Sequence, residues 1–287
     1  RVIRFSAAYS ELYFPLVIGD AVEFTGIALS AFGDGSVDVL AELRGDDGRV
    51  LSFRDNPTEA QVAGGAQIAQ LSREWFGTDS TKHNGWARFR LSSPQVGSFS
   101  QIANGLIGPL SYMDGSAAVT NLSSRLYFTR IYHGPAAYPT NAGLQKAETY
   151  LAIVNPGDEP AKVTLRLYSA LGQLVYQVDQ TIAPNGRLYG ALEKLFPLPP
   201  RSSLLDGSVE VVSSGPGLAG FEWIRLPDTV IGLNAATDFS AQVLYSAQLA
   251  HSKDIFTSLK LVNTTGENRG VNVTAYLVDG EGRPLGS

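Results

Sequence analysis

Three stretches of the chain alternate apolar and polar residues with a period of two. In the first, Val39, Ala41 and Leu43 alternate with Leu40 and Glu42; in the second, Val163, Leu165 and Leu167 alternate with Thr164 and Arg166. In the third, Val271, Val273, Ala275 and Leu277 alternate with Asn272, Thr274 and Tyr276. That period predicts strands with one buried and one wet face. Each is followed by a turn ending in glycine, at Asp47-Gly48, Leu171-Gly172 and Glu281-Gly282. Glycine supplies the positive φ that a tight hairpin needs.

These stretches belong to longer blocks that recur. The hairpin block reads IALSAFGDGSVDVLAELRGDDGRVL from Ile27, LAIVNPGDEPAKVTLRLYSALGQLV from Leu151 and LKLVNTTGENRGVNVTAYLVDGEGRPL from Leu259. Module starts are similar at Phe5, Gly115 and Phe239. GAQIAQLSREWF from Gly65 and GRLYGALEKLFP from Gly186 have helical spacing, with Ile68, Leu71, Trp75 and Phe76 on one face and Leu188, Ala191, Leu192, Leu195 and Phe196 on the other copy's face. A short helix of about three turns is expected there, capped by Asn185 and stopped by Pro197 in the second copy. A further strand pair bends at Pro94 and at Pro216, with Phe99 and Phe221 in matching places after it. LIG at Leu106 and VIG at Val230 close the two copies.

Self-similarity at this spacing implies a tandem array. Many short strands with regular turns read as mainly β, in immunoglobulin-like antiparallel β-sandwich modules with one short helix inserted in each. The modules are expected at 1–110, 111–234 and 235–287, the last being only a first half. Half a sandwich leaves an apolar face and strand edges uncovered. The chain then continues beyond Ser287, or the half module packs on its neighbour, or another chain completes it by strand exchange.

The YLAIVNPGDEPAKVTLRLYSALGQLV block resembles a module found in tandem in secreted bacterial surface proteins. There a hairpin is followed by a helix and then a strand pair. The resemblance spans most of the first two modules and half of the third. It implies an extracellular, non-catalytic, Ig-like array, secreted or held at the cell surface.

Composition narrows the function classes. The 287 residues carry a net charge of −5 and are only 17% charged, against about 25% for ordinary soluble domains. No basic stripe exists for nucleic acid. Apolar runs such as Tyr150–Val154 are far short of the ~20 residues that span a bilayer. Without cysteine, thiol chemistry and Cys-based metal sites are excluded.

No nucleophile elbow, phosphate loop or HExxH zinc motif occurs, so neither catalytic residues nor a cofactor nor a metal is expected. His83, His133 and His251 read as scaffold residues, the last two at equivalent repeat positions. Asp34, Asp46-Asp47, Asp158, and Asp279 with Glu281 fall in turns, where Asp bonds its own backbone. The sequons at Asn121, Asn263 and Asn272 read as coincidence in a bacterial protein.

Aromatic residues carry the one binding signal. Trp223 stands where the first module has Gln101. About ten extra residues between the first two strands of the second module include Tyr132 and Tyr138. Exposed rings at Trp223, Tyr132 and Tyr138 would suit a surface glycan or a protein partner. Alternatively, Trp223 packs against a neighbouring module. The leading expectation is a structural or adhesive array. The alternatives are a ligand-binding array, or an oligomer subunit joined through residues 235–287.

Overall fold

The computed structural model describes residues 11–79, 82–104, 112–140, 143–199, 202–227, 229–237, 259–264, 271–279, 281 and 283–286. The protein is mainly β, with antiparallel sheets. The chain divides into two compact units, Arg1–Thr257 and Ser258–Ser287.

The first unit contains two sheets. Sheet one is built from β1 (Glu11–Gly19), β2 (Glu23–Ala31), β3 (Val37–Arg44), β4 (Thr58–Val62), β5 (Gln67–Leu71), β6 (His83–Leu91), β7 (Val96–Asn104) and β8 (Tyr112–Ser116), with α1 (Ser72–Phe76) after β5. Its order is β4-β3-β6-β1-β2-β7-β8, and β5 pairs with β2. Sheet two is built from β9 (Arg125–Thr140), β10 (Gly143–Val154), β11 (Ala161–Tyr168), β12 (Leu174–Ile182), β13 (Arg187–Ala191), β14 (Leu204–Ser213), β15 (Ala219–Arg225), β16 (Val230–Asn234) and β17 (Ala236–Thr237), with α2 (Leu192–Leu195) after β13. Its order is β12-β11-β14-β9-β10-β15-β16; β13 pairs with β10 and β17 with β9. Adding eight to each strand number in the order of sheet one gives the order of sheet two.

β1 and β2 pair in register at a single point, Gly19 with Phe24, so sheet one turns a corner there. The strands on either side of the corner then cover one core. That core takes Leu12 and Phe14 from β1, Ile27 and Leu29 from β2, Val39, Ala41 and Leu43 from β3, and Phe89 from β6. Trp75 and Phe76 of α1 close it, and the Trp75 indole N–H donates to the Ile27 carbonyl at 3.2 Å. A second core is built alike, from Leu126 and Phe128, Leu151 and Ile153, Val163, Leu165 and Leu167, and Leu192, Leu195 and Phe196. A reciprocal hydrogen-bond pair also recurs: the Thr25 hydroxyl bonds both the N–H and the C=O of Ile18, and Thr149 does the same for Tyr132.

Alternation is observed in β3 and β11. Val39, Ala41 and Leu43 are buried, as are Val163, Leu165 and Leu167. The two turns are formed as expected, with φ of 83° at Gly48 and 75° at Gly172. The bends at Pro94 and Pro216 separate β6 from β7 and β14 from β15.

Two expectations are corrected. The helix is not three turns long. Gln67–Leu71 pairs with β2 and Arg187–Ala191 with β10, so the first half of each block is a strand. Only five and four residues then turn helical. Pairing to an open strand edge overrides helical spacing in so short a run. Asn185 does not cap α2: it sits at φ 54° in the turn before β13, and Ala191 is the N-cap.

In the third alternating stretch the apolar positions are not buried. Residues 271–278 are all exposed, with strand only at β18 (Leu277–Val278), which pairs with β19 (Pro284–Gly286). Val273 is 61% exposed, against 2% for Val39 and Val163. The reason is physical: alternation buries a face only where a second layer stands against it. No such layer exists among the described residues of Ser258–Ser287. The repeat starts at Phe5 and Phe239, with His251 and Leu106, lie outside the described residues.

A stability contrast follows. Leu165→Ala is expected to cost about 2–5 kcal/mol in urea unfolding, whereas Leu277→Ala stays within about 0.5 kcal/mol. Equal losses would show that the third copy buries its alternating face.

Candidate functional site: the seam between the two sheets

The two sheets of the first unit meet along a buried seam. Leu16, Ile18 and Ile102 of sheet one pack with Ala152, Phe221, Trp223 and Val230 of sheet two. Beside them Tyr13 and Trp86 pack with Val154 and Ala219. Apart from Ile102, which shares its face of β7 with Ser100, the side chains come from positions that face away from the two cores. A β-bulge between Phe14 and Val17 turns Leu16 outward. On β15, Ala219, Phe221 and Trp223 face the seam, while Gly220 and Glu222 face the core side of sheet two.

Arg187 stands at the centre, with its side chain fully buried. Its Nε and Nη2 meet Asp46 Oδ1 at 2.8 and 2.7 Å. Nη2 donates to Asn84 Oδ1 at 2.7 Å, and Nη1 donates to the carbonyls of Pro15, at 3.3 Å, and Gly85. All of these acceptors belong to sheet one. Burial pushes the guanidinium below its ordinary value and the Asp46 charge opposes that shift. The group stays charged, because arginine does not lose its proton in proteins.

Backbone contacts complete the joint. The Arg187 N–H donates to the Asp46 carbonyl at 3.0 Å, and the Trp86 indole N–H donates to the Asn185 carbonyl at 3.1 Å. Gly48 approaches so closely that a Cβ there would lie 2.1 Å from the Pro184 carbonyl oxygen. Gly172, in the same turn of sheet two, has nothing within 4 Å. Further along, the Gly232 N–H donates to Asp114 Oδ2 at 2.9 Å, and Asn234 donates to the Ala117 carbonyl at 2.8 Å.

A cation–aromatic ladder lines the rim. The Arg187 guanidinium lies 4.6 Å over the Tyr189 ring, and Tyr189 stacks on Tyr150 at 6.0 Å and 23°. Arg225 lies 5.7 Å over Tyr150 and pairs with Glu23, which also accepts from Tyr112. A recess lined by Phe14, Leu16, Ser100, Ser116 and Phe221 offers about 10 Å³, room for roughly one water and for no organic ligand.

Of the aromatic residues singled out by sequence, Trp223 is 1% exposed and packs against sheet one; it offers no open ring. The ten extra residues lengthen the β9–β10 hairpin. Tyr132 is buried there, with Tyr138 half-buried beside it in a T-shaped pair at 5.1 Å. The Tyr132 hydroxyl donates to Asp206 Oδ1 at 3.1 Å, and burial with the Asp206 charge raises its pKa to about 12. Tyr132 and Tyr138 cluster with Ile224, the residue after Trp223 on β15. Successive strand residues point to opposite faces, so the three rings do not share one surface.

The other candidates occupy structural places. His83 Nε2 lies 3.0 Å from Ser72 Oγ. His83 faces Gly19 on β1, and at the matching point of sheet two His133 of β9 faces Leu204. Asp47 accepts from the Arg49 N–H and Asp279 from the N–H groups of Glu281 and Arg283, as turn aspartates do. Asp158 takes a hydrogen bond from Asn185. Asp46 differs, because it is the counter-ion of Arg187. Among the described residues no group of three or more His, Asp or Glu could hold a metal, and no helix is long and apolar enough to cross a membrane.

Sequence reasoning passed over Glu222. It is 1% exposed, and its only hydrogen bond among the described residues is a long one from the Arg130 N–H, at 3.4 Å. Burial raises its carboxyl pKa from 4.5 to about 8. Ser100 holds the matching register in sheet one, opposite Ile27 as Glu222 is opposite Leu151.

No protein-family model and no curated protein matches the chain. Among solved structures, the crystal structure of Thermotoga maritima 1070 is similar over 41% of this chain and 97% of that one, at 18% identity and a TM-score of 0.32. A likeness this slight settles neither fold family nor function.

Two measurements check this geometry. Arg187→Ala strands the buried Pro15 and Gly85 carbonyls and is expected to cost about 3–5 kcal/mol in urea unfolding. A loss under about 0.5 kcal/mol would mean that the guanidinium is solvated. For Glu222, the folded pKa lies above the unfolded one, so the folded state holds the extra proton. Stability therefore falls as pH rises from about 4.5 to about 8 and is level outside that window. Glu222→Gln should remove that part of the slope, read as the difference between variant and wild type at pH 5 and pH 8. Parallel profiles would show an ordinary carboxyl.

Proposed function

We propose that this protein is a non-catalytic, extracellular structural or adhesive repeat protein, in which Ig-like sandwich modules stand in tandem. The carrying observation is the seam. Two sheets of the same strand order, each with its own core, are held in one fixed relation by a desolvated arginine and a strip of aromatic side chains. The buried polar contacts of the seam are spent on joining sheets: the Arg187 N–H donors are all taken, and Asp46 and Asn84 are committed to them. A joint of this kind suits a protein that must present surfaces at set positions.

The glycan-binding alternative drew on an open Trp223, and the buried indole removes that support. Oligomer assembly keeps one observation in its favour. Leu259, Leu261, Val271, Val273 and Tyr276 are all more than half exposed in the second unit, a strip that strands from another chain could cover.

The test is retention without turnover. The immobilised chain should capture components of an extracellular protein or glycan array while releasing no product from glycosidase, esterase and peptidase substrate panels. Product release that a single substitution abolishes would overturn the reading.

A further inference from the structure

We propose that the outer edge of β12 is a self-association edge, on which a second copy of this chain pairs its own β12 antiparallel across a two-fold axis. β12 ends the nine-stranded sheet, and among the described residues it pairs only with β11. An open edge is a row of unpaired N–H and C=O groups, and proteins blunt such edges with proline, lysine or short strands. β4, at the matching place in sheet one, is blunted: it has five residues, contains Glu59 and follows Pro57. β12 is not. It runs for nine residues, LVYQVDQTI, with Asp179 as its single charge, and its one irregularity is a β-bulge at Val175, near its start, which leaves Tyr176–Ile182 regular. At its start Leu174 is 53% and Val175 41% exposed, and Leu171 in the preceding turn is 85% exposed.

The sequence of β12 is complementary to itself in one register. With Val178 on the axis, Gln177 faces Asp179 and Tyr176 faces Gln180, and the bulge at Val175 falls beyond them, opposite Thr181. The half-buried Tyr176, Val178 and Gln180 of both copies then lie on the same side, so each core-facing side continues into the other. Each carboxylate meets an amide donor. Moving the axis to Asp179 sets two carboxylates against each other, and moving it to Gln177 sets Asp179 against Val175. This charge pattern is what selects a second copy over an unrelated strand. A nine-residue edge covers less than the ~800 Å² per partner of a stable interface, so the dimer is weak and concentration-dependent.

Sedimentation velocity of the whole chain, from about 1 μM to about 1 mM, reads the dimer directly. Gln177→Glu sets two acid pairs face to face and is expected to weaken dimerisation roughly tenfold. Gln177→Lys should tighten it, and Gln177→Glu with Asp179→Lys should restore it. Gln177 is exposed beside Arg166, so these variants leave the cores untouched, and circular dichroism verifies that. A monomer across the whole range, or a dimer indifferent to all three variants, overturns the proposal. Neither result bears on the structural reading of the seam.

Discussion

The arrangement of this molecule depends on keeping one buried cation satisfied. A guanidinium taken out of water is tolerated only when its N–H groups find acceptors in fixed places. Arg187 comes from sheet two, and every acceptor it uses comes from sheet one. The acceptors lie on separate strands and turns. Pro15 sits in the bulge of β1, Asn84 and Gly85 on β6, and Asp46 in the turn after β3. Moving one sheet against the other would strip several bonds at once. Local features make the joint possible. A proline at the bulge removes an N–H that would otherwise need a partner. Gly48 lets the turn close on Pro184, where any Cβ would collide.

The fold was legible wherever a strand has one dry and one wet side. Val39, Ala41 and Leu43 mark β3 because Asp38 before them and Leu40 between them are less buried, and β11 repeats the pattern. Legibility ended where context decides. GAQIAQLSREWF has helical spacing throughout, yet Gln67–Leu71 completes the edge of β2, and hydrogen bonds to a waiting strand outweigh weak helical preference. Val271 to Leu277 show the converse: the alternation is as clean as in β11, but with no opposing layer among the described residues of Ser258–Ser287 it buries no face. Periodicity records which face a residue would bury; burial itself needs a partner surface.

The seam was harder to read, because its key residues are of types that normally face water. Arg187, Asp46 and Asn84 look like surface residues in any composition-based reading. What could have exposed them is the difference between matching positions. Trp223, Tyr150 and Tyr189 stand in sheet two at the register where sheet one has Gln101, Gly26 and Ala69. Large rings replacing small or polar residues on an outward face signal that this face is covered in one sheet and open in the other. The Trp223–Gln101 difference was visible, but a covered ring and a binding ring give the same sequence signal. Only burial separates them.

Sheets that share a strand order are held alike inside and diverge outside. The inward positions are constrained by volume, and Leu or Val recurs there. Outward positions are free to take on contacts, and here they have done so unequally. The outer face of β10, β13 and β15 is spent on the seam. The counterpart face in sheet one keeps Gln67, Ala69 and Gln101, and the turn holding Gly172 touches nothing where its counterpart at Gly48 is clamped. Under the structural reading, what is left for partners is therefore asymmetric. Sheet one presents small and polar positions with a blunted edge at β4. Sheet two presents a long, nearly uncharged edge at β12 and an extended hairpin braced by Tyr132 and Tyr138.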